Sequence, residues 1–177
     1  MVSWAAVVLA GGRGSRLGGV DKAAVVVDGR TLLDHVLDAV ASARQTVVVG
    51  PRRDDVPRVT WAREDPPGGG PLAGLAAGLA HVDAEVVVVL AVDQPGVTRS
   101  TVDRLLAAVG DTGAVLVDDG GRLQWLTGAW RTEALRRALP TDPRDVSMRS
   151  VLGPLDPAPV VARPGEAHDI DTPHDLT

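Results

Sequence analysis

Cysteine is absent from the 177-residue chain, and with it go a disulfide framework, a thiolate zinc site and a thiol nucleophile. A chain of this length buries a core without such staples, so a single domain in a cytoplasmic setting is expected. Apolar runs of membrane length are missing too. Residues 1–12 are apolar but lack a basic start and fall short of a bilayer span, so they read as a buried strand and not as a leader. Long basic blocks are also missing and the net charge is -5, which argues against a duplex nucleic-acid binder. Local arginine clusters can still hold a compact polyanion such as a mononucleotide. Phe and Tyr do not occur, while Ala, Val, Gly and Asp abound, a pattern of GC-rich codon usage that serves as background.

Lysine is nearly absent as well: Lys22 is the only one among 18 basic residues. Arginine evidently served wherever a positive charge alone was wanted, so the compact ammonium of Lys22 marks a position with a particular demand. It closes the stretch "LAGGRGSRLGGVDK" (9–22), which holds five glycines and follows an apolar run.

Valine-rich runs recur at 5–9, 23–27, 46–49, 86–92 and 114–117, each bounded by Gly, Asp or Pro, as strands buried on both faces are. Helical periodicity falls between them. Residues 32–43 carry apolar positions on one face behind a Thr31/Asp34 capping box. Residues 71–82 begin with Pro at a first helical position, and 100–109 follow a Ser-x-x-Asp signal. Shorter helices are expected at 132–139 and 146–152, with later strands at 123–130 and 158–162. This alternation predicts the α/β class: a three-layer α/β/α sandwich, Rossmann-like, around a mostly parallel sheet. Ligands of such sheets sit beyond the carboxyl ends of the strands, where the loops at 10–22, 65–71 and 93–98 emerge.

Two common glycine motifs do not fit the first loop. "GRGSRLG" has one residue too many for a dinucleotide fingerprint and leads to another apolar run, and Lys22 lies between Asp21 and Ala23 instead of inside a phosphate loop. What remains is a backbone open to an anionic or planar ligand, ringed by Arg13, Arg16 and Lys22. Asp93 ends the most apolar run, "EVVVVLAVD"; a carboxylate there invites a cation, and magnesium suits oxygen donors supplemented by substrate phosphates. A turn cap before Pro95 is the structural alternative. His35, His81, His168 and His174 share no metal-binding spacing and read as structural, and Trp125 and Trp130 read as core.

These residues resemble the signature of the molybdenum cofactor guanylyltransferases: L-A-G-G, three variable residues, then R-[ML]-G-G-x-D-K. "ED" at 64–65, "GPLAGL" at 70–75, "AVDQP" at 91–95 and "DIDTPHDL" at 169–176 follow the order of that family. The resemblance implies transfer of GMP from GTP to the phosphate of molybdopterin, with release of pyrophosphate. It implies a nucleotide-binding half over about 1–98 and an acceptor-binding half over about 99–177. Arg16, Lys22 and Asp93 become the catalytic candidates. Leu9, Ala10, Gly11, Gly12, Lys22, Asp65, Gly70, Pro71, Leu72, Gly74 and Asp93 become the nucleotide contacts. Asp93 and Asp171 become the magnesium ligands, with Asp169 the other candidate for the second place. Molybdenum enzymes or cofactor-delivery proteins are the implied partners, with no nucleic acid and no membrane. Two departures stand out. Asp169 and Asp171 replace the family's asparagines, as in relatives that use CTP, and Gly50 replaces an Asn after the second strand. A cytidylyltransferase is therefore the enzymatic rival, and a silent nucleotide-binding accessory protein the rival of another class.

Overall fold

The valine runs become the middle of a seven-stranded sheet. The computed structural model describes residues 2–11 and 19–176, Pro173 by its backbone alone. Strand β1 (Trp4–Leu9) runs parallel to β4 (Gln45–Val49) on one side and to β6 (Val86–Ala91) on the other. β5 (Thr60–Ala62) extends the sheet beyond β4. On the far side β8 (Leu123–Arg131) pairs antiparallel with both β6 and β7 (Gly113–Val117), and β9 (Ala158–Val161) closes the sheet parallel to β7. The order is β5-β4-β1-β6-β8-β7-β9. This is the mostly parallel sandwich that the alternation predicts.

Alternate residues of the central strands enter two cores, which is why these runs carry no polar face. Val7, Val47, Val87 and Val89 pack with Leu72, Leu75 and Leu79 of α2 (Pro71–Leu79) and with the buried Trp130. Leu135 of α4 (Thr132–Ala138) and Leu152 of α5 (Met148–Leu152) join that layer. Ala6, Val8, Val48, Val88 and Leu90 pack instead with Leu32, Leu33 and Val36 of α1 (Leu32–Ala39) and with Val102 and Leu105 of α3 (Arg99–Ala107). Trp125 is half-buried against the first core and Trp130 lies wholly inside it.

The Thr31/Asp34 capping box forms as read: the Asp34 amide donates to Thr31 Oγ1 at 3.0 Å and the Thr31 amide to Asp34 Oδ2 at 3.2 Å. Helix α3 starts earlier than its Ser-x-x-Asp signal. Its cap is Thr98, whose amide donates to Thr101 Oγ1 at 3.0 Å.

One expected strand is corrected. Residues 23–27 do not join the sheet: a 3₁₀ turn over Lys22–Ala24 is followed by β2 (Val26–Val27), which pairs only with β3 (Arg30–Thr31). The reason is Asp28-Gly29, both at positive φ, a tight-turn pair that folds the run back on itself and leaves Val26 exposed. β5 was not anticipated, because three residues carry too little periodicity to register.

Behind β6 the chain turns through Gly96, where the segment around Gly165 rests directly on it. A Cβ on Gly96 would collide with the Gly165 carbonyl oxygen and lie 2.8 Å from its carbon. Gly96→Ala is therefore expected to lose about 1–3 kcal/mol of stability in denaturant unfolding, because backbone and not a flexible side chain must yield.

Candidate active site

Parallel register brings three strand ends to one edge: Leu9 lies opposite both Val49 and Ala91. β1 has one successor strand on each side of it, so this edge is the topological switch point where α/β sheets form ligand crevices. A cleft of 790 Å³ opens there. Leu9, Ala10 and Gly11 form its floor, Gly50 one wall, Gly70, Pro71 and Gly74 another, and Lys22 and Asp93 stand at its polar end.

Lys22 is placed by its own turn. Asp21 caps that turn, its Oδ1 accepting from the Ala23 amide at 3.1 Å, and its Oδ2 is ion-paired with Arg53 from the loop after β4. The Lys22 ammonium lies 2.7 Å from Asp171 Oδ1 and 3.7 Å from Asp93 Oδ2. The Ile170 amide donates to the Asp93 carbonyl at 2.7 Å, and Ile170 itself is buried in the core, so the chain's last segment is anchored beside β6. Burial pushes the Asp93 carboxyl above the ordinary range, Asp169 adds to the rise, Lys22 opposes it, and Asp171 raises it further.

A second ionic contact holds the terminal segment from behind. Glu166 is 5% exposed, accepts from Thr101 Oγ1 at 2.6 Å and from the Arg163 amide at 2.7 Å, and is ion-paired with Arg104. Burial alone would raise this carboxyl, but the bonds from Arg104, Thr101 and Arg163 outweigh it and hold the group below its usual range. No pattern in "ARPGEAHD" announces that residue as buried, and it was missed.

Several expected contacts are relocated. Ala10 and Gly11 do line the cleft, yet their amides are both committed to Val49 O, at 2.9 and 3.0 Å, so they offer bare backbone surface and not free donors. Leu72 is wholly buried in the core and presents no side chain to the cleft. Asp65 is exposed and lines a neighbouring groove, whereas Glu64 borders both that groove and the cleft and accepts from the Gly68 amide at 3.1 Å. Gly50 has a backbone conformation that side chains rarely adopt, with φ at +154°. A Cβ there would also lie 3.1 Å from Gly11 N and 3.2 Å from Ala10 C, a tight fit against backbone. Gly12, Arg13 and Arg16 lie outside the described residues. His35 is structural, its Nε2 2.8 Å from Val27 O. Among the described residues, no helix is long and apolar enough to cross a membrane.

A model of the MobA-like NTP transferase domain matches residues 6–159. The chain belongs to this family. It is 38% identical over 147 residues to the molybdenum cofactor guanylyltransferase of Bradyrhizobium sp., an alignment covering 75% of this chain and 69% of that one. The enzyme of the same name from Vibrio cholerae is 34% identical over 126 residues, covering 69% and 61%. Among solved structures, molybdopterin-guanine dinucleotide biosynthesis protein A from Archaeoglobus fulgidus superposes with a TM-score of 0.73 at 23% identity, covering 97% of this chain and 94% of that one. A cytidylyltransferase acting on 2-C-methyl-D-erythritol 4-phosphate, from Thermus thermophilus, gives 0.72 at 23% identity, covering 99% and 95%. Both likenesses concern the fold alone. Membership of the MobA-like family makes this chain a nucleotidyltransferase.

The raised Asp93 carboxyl has a cost in stability. Its folded pKa stands above the unfolded 3.8, so the ionised group destabilises the fold at neutral pH. That cost disappears as pH falls through the raised value into the ordinary carboxylate range. Asp93→Asn is therefore expected to melt a few degrees higher than the native protein at pH 7 and level with it near pH 3, by calorimetry at both pH values.

Proposed function

We propose that this nucleotidyltransferase transfers GMP from GTP to the phosphate of a molybdopterin-type acceptor, releasing pyrophosphate, in molybdenum cofactor biosynthesis. The observation that carries the reading is the Lys22 ammonium held between Asp93 and Asp171 at the polar end of a cleft floored by Leu9, Ala10 and Gly11. One end of that cleft suits a planar base on bare backbone and the other suits a charged triphosphate. The names of the curated relatives support the choice of GTP and molybdopterin.

An acceptor phosphate oxygen attacks the α-phosphorus of GTP, the bond to the β-phosphate oxygen breaks, and pyrophosphate departs. That oxygen is already ionised at neutral pH, so no general base is required. The protein's work is alignment and charge stabilisation. Lys22, with Arg16, neutralises charge on the phosphates as it builds. Gly70, Pro71 and Gly74 bound the nucleotide from the side of α2.

The donor set fits magnesium. Asp93 and Asp171 already share one cation, the Lys22 ammonium, and the Asp93 carboxyl is raised first by burial and then by the neighbouring Asp169. Among the described residues no group of three or more acidic or histidine side chains forms a complete cage, which suits an ion that takes its remaining ligands from phosphates and water. Asp93 and Asp171 would hold it, and when bound it supplies Lewis-acid charge neutralisation to the phosphates.

The acidic pair Asp169 and Asp171 favours a second reading, in which CTP is the donor. Thermal stabilisation by GTP with magnesium, exceeding that by CTP, supports the first reading, and the reverse order supports the second. Lys22→Ala is expected to lower pyrophosphate release by about 10²–10³-fold while leaving the melting temperature nearly unchanged. Undiminished release in that variant removes Lys22 from the chemistry.

A further inference from the structure

Gln94 sits between Asp93 and Pro95 and is 6% exposed. A buried amide with no partners would be costly, and this one is fully engaged. Its Nε2 donates to Asp169 Oδ1 at 2.6 Å and to Gln124 Oε1 at 3.3 Å, and its Oε1 accepts from the Thr127 hydroxyl. The orientation of the amide follows from these partners. Thr127 supplies a proton to the oxygen side, and Gln124 presents its oxygen because its own Nε2 donates to Asp118 Oδ2 at 3.1 Å. The nitrogen side of Gln94 therefore faces Asp169 and fixes the position of its Oδ1.

The two β8 residues of this network are brought together by an irregularity in the sheet. β7 and β8 change register between Val115 and Leu116: Val115 lies opposite Gly128, while Leu116 lies opposite Gln124. The extra residues of β8 place Thr127 against Gln94 and Leu126 in the cleft. A bulge beside a site is the usual means of re-aiming a side chain.

Two nearby aspartates thus stand in different situations. Asp171 meets the Lys22 ammonium, whereas Asp169 is held by an amide. We propose that Gln94 is a positioning residue, holding the Asp169 carboxylate in place beside the exit of β6, so that Asp93 and Asp171 capture a divalent cation in the field of a third carboxylate that does not ligate it. The proposal rests on the reading of Asp93 and Asp171 as cation ligands. Asp169 is placed there by the next residue, whose amide donates to the Asp93 carbonyl at 2.7 Å.

The test is Mn²⁺ titration of the full chain without nucleotide, followed by electron paramagnetic resonance of the free ion. Gln94→Met keeps volume and removes the donor, and is expected to weaken Mn²⁺ binding about 3- to 10-fold. Asp169→Asn is expected to weaken it comparably, and the double variant no further than Asp169→Asn alone, since Gln94 acts only through Asp169. Thr127→Val removes the hydroxyl that orients the amide and is expected to weaken binding several-fold, which keeps the test available should Gln94→Met fold poorly. Unchanged affinity in Gln94→Met or in Thr127→Val, or additive losses in the double variant, overturns the proposal. Asp93→Ala separates the two levels. If it abolishes Mn²⁺ binding while Gln94→Met does not alter it, this inference alone fails. If Asp93→Ala binds like the native chain, the underlying reading fails and the proposal with it.

Discussion

One ammonium group meets two carboxylates that the fold brings in from distant parts of the chain. Lys22 follows the first strand, Asp93 the central one, and Asp171 lies 149 residues beyond Lys22 in sequence. Bringing them within a few ångströms requires the sheet to align its strand ends and the terminal segment to cross back over the exit of β6. Every other feature of the site serves that meeting, and an isolated ion pair of this exposure would contribute little to stability on its own.

The scaffold supplies the rigidity that such a pair cannot. β1 and β6 are buried along nearly their whole length between two helical layers and paired in register up to Leu9 and Ala91, which fixes their carboxyl ends side by side. The terminal segment has no sheet to hold it and is fastened by separate devices: the Glu166–Arg104 ion pair at its base, Ile170 in the core, and the Ile170 amide on the Asp93 carbonyl. A well-satisfied buried carboxylate at Glu166 thus stands behind a poorly satisfied one at Asp93. The first contributes stability and the second costs it.

Much of this arrangement is legible in the residues themselves. Continuous valine runs report burial on both faces, the capping box at Thr31 starts α1, and the lone lysine and the aspartate after "EVVVVLAV" mark the two poles of the site. What escapes reading depends on contacts distant in sequence or on single turns. Residues 23–27 have the composition of a core strand, but the Asp28-Gly29 turn outweighs it. Glu166 and Gln94 look like surface and spacer residues because their partners lie 62 and 75 positions away. The Ala10 and Gly11 amides seem available in the sequence because only the parallel register reveals that Val49 takes both. Asp65 and Glu64 are adjacent acids, and nothing but the path of the backbone decides which one faces the cleft.

The most direct test of the shared-cation site is a crystal structure with a non-hydrolysable GTP analogue and Mn²⁺, located by its anomalous signal. A metal peak is expected at coordination distance, about 2.1 Å, from carboxylate oxygens of both Asp93 and Asp171, with the triphosphate reaching Lys22. A peak remote from both carboxylates, or a triphosphate bound away from Lys22, would contradict it.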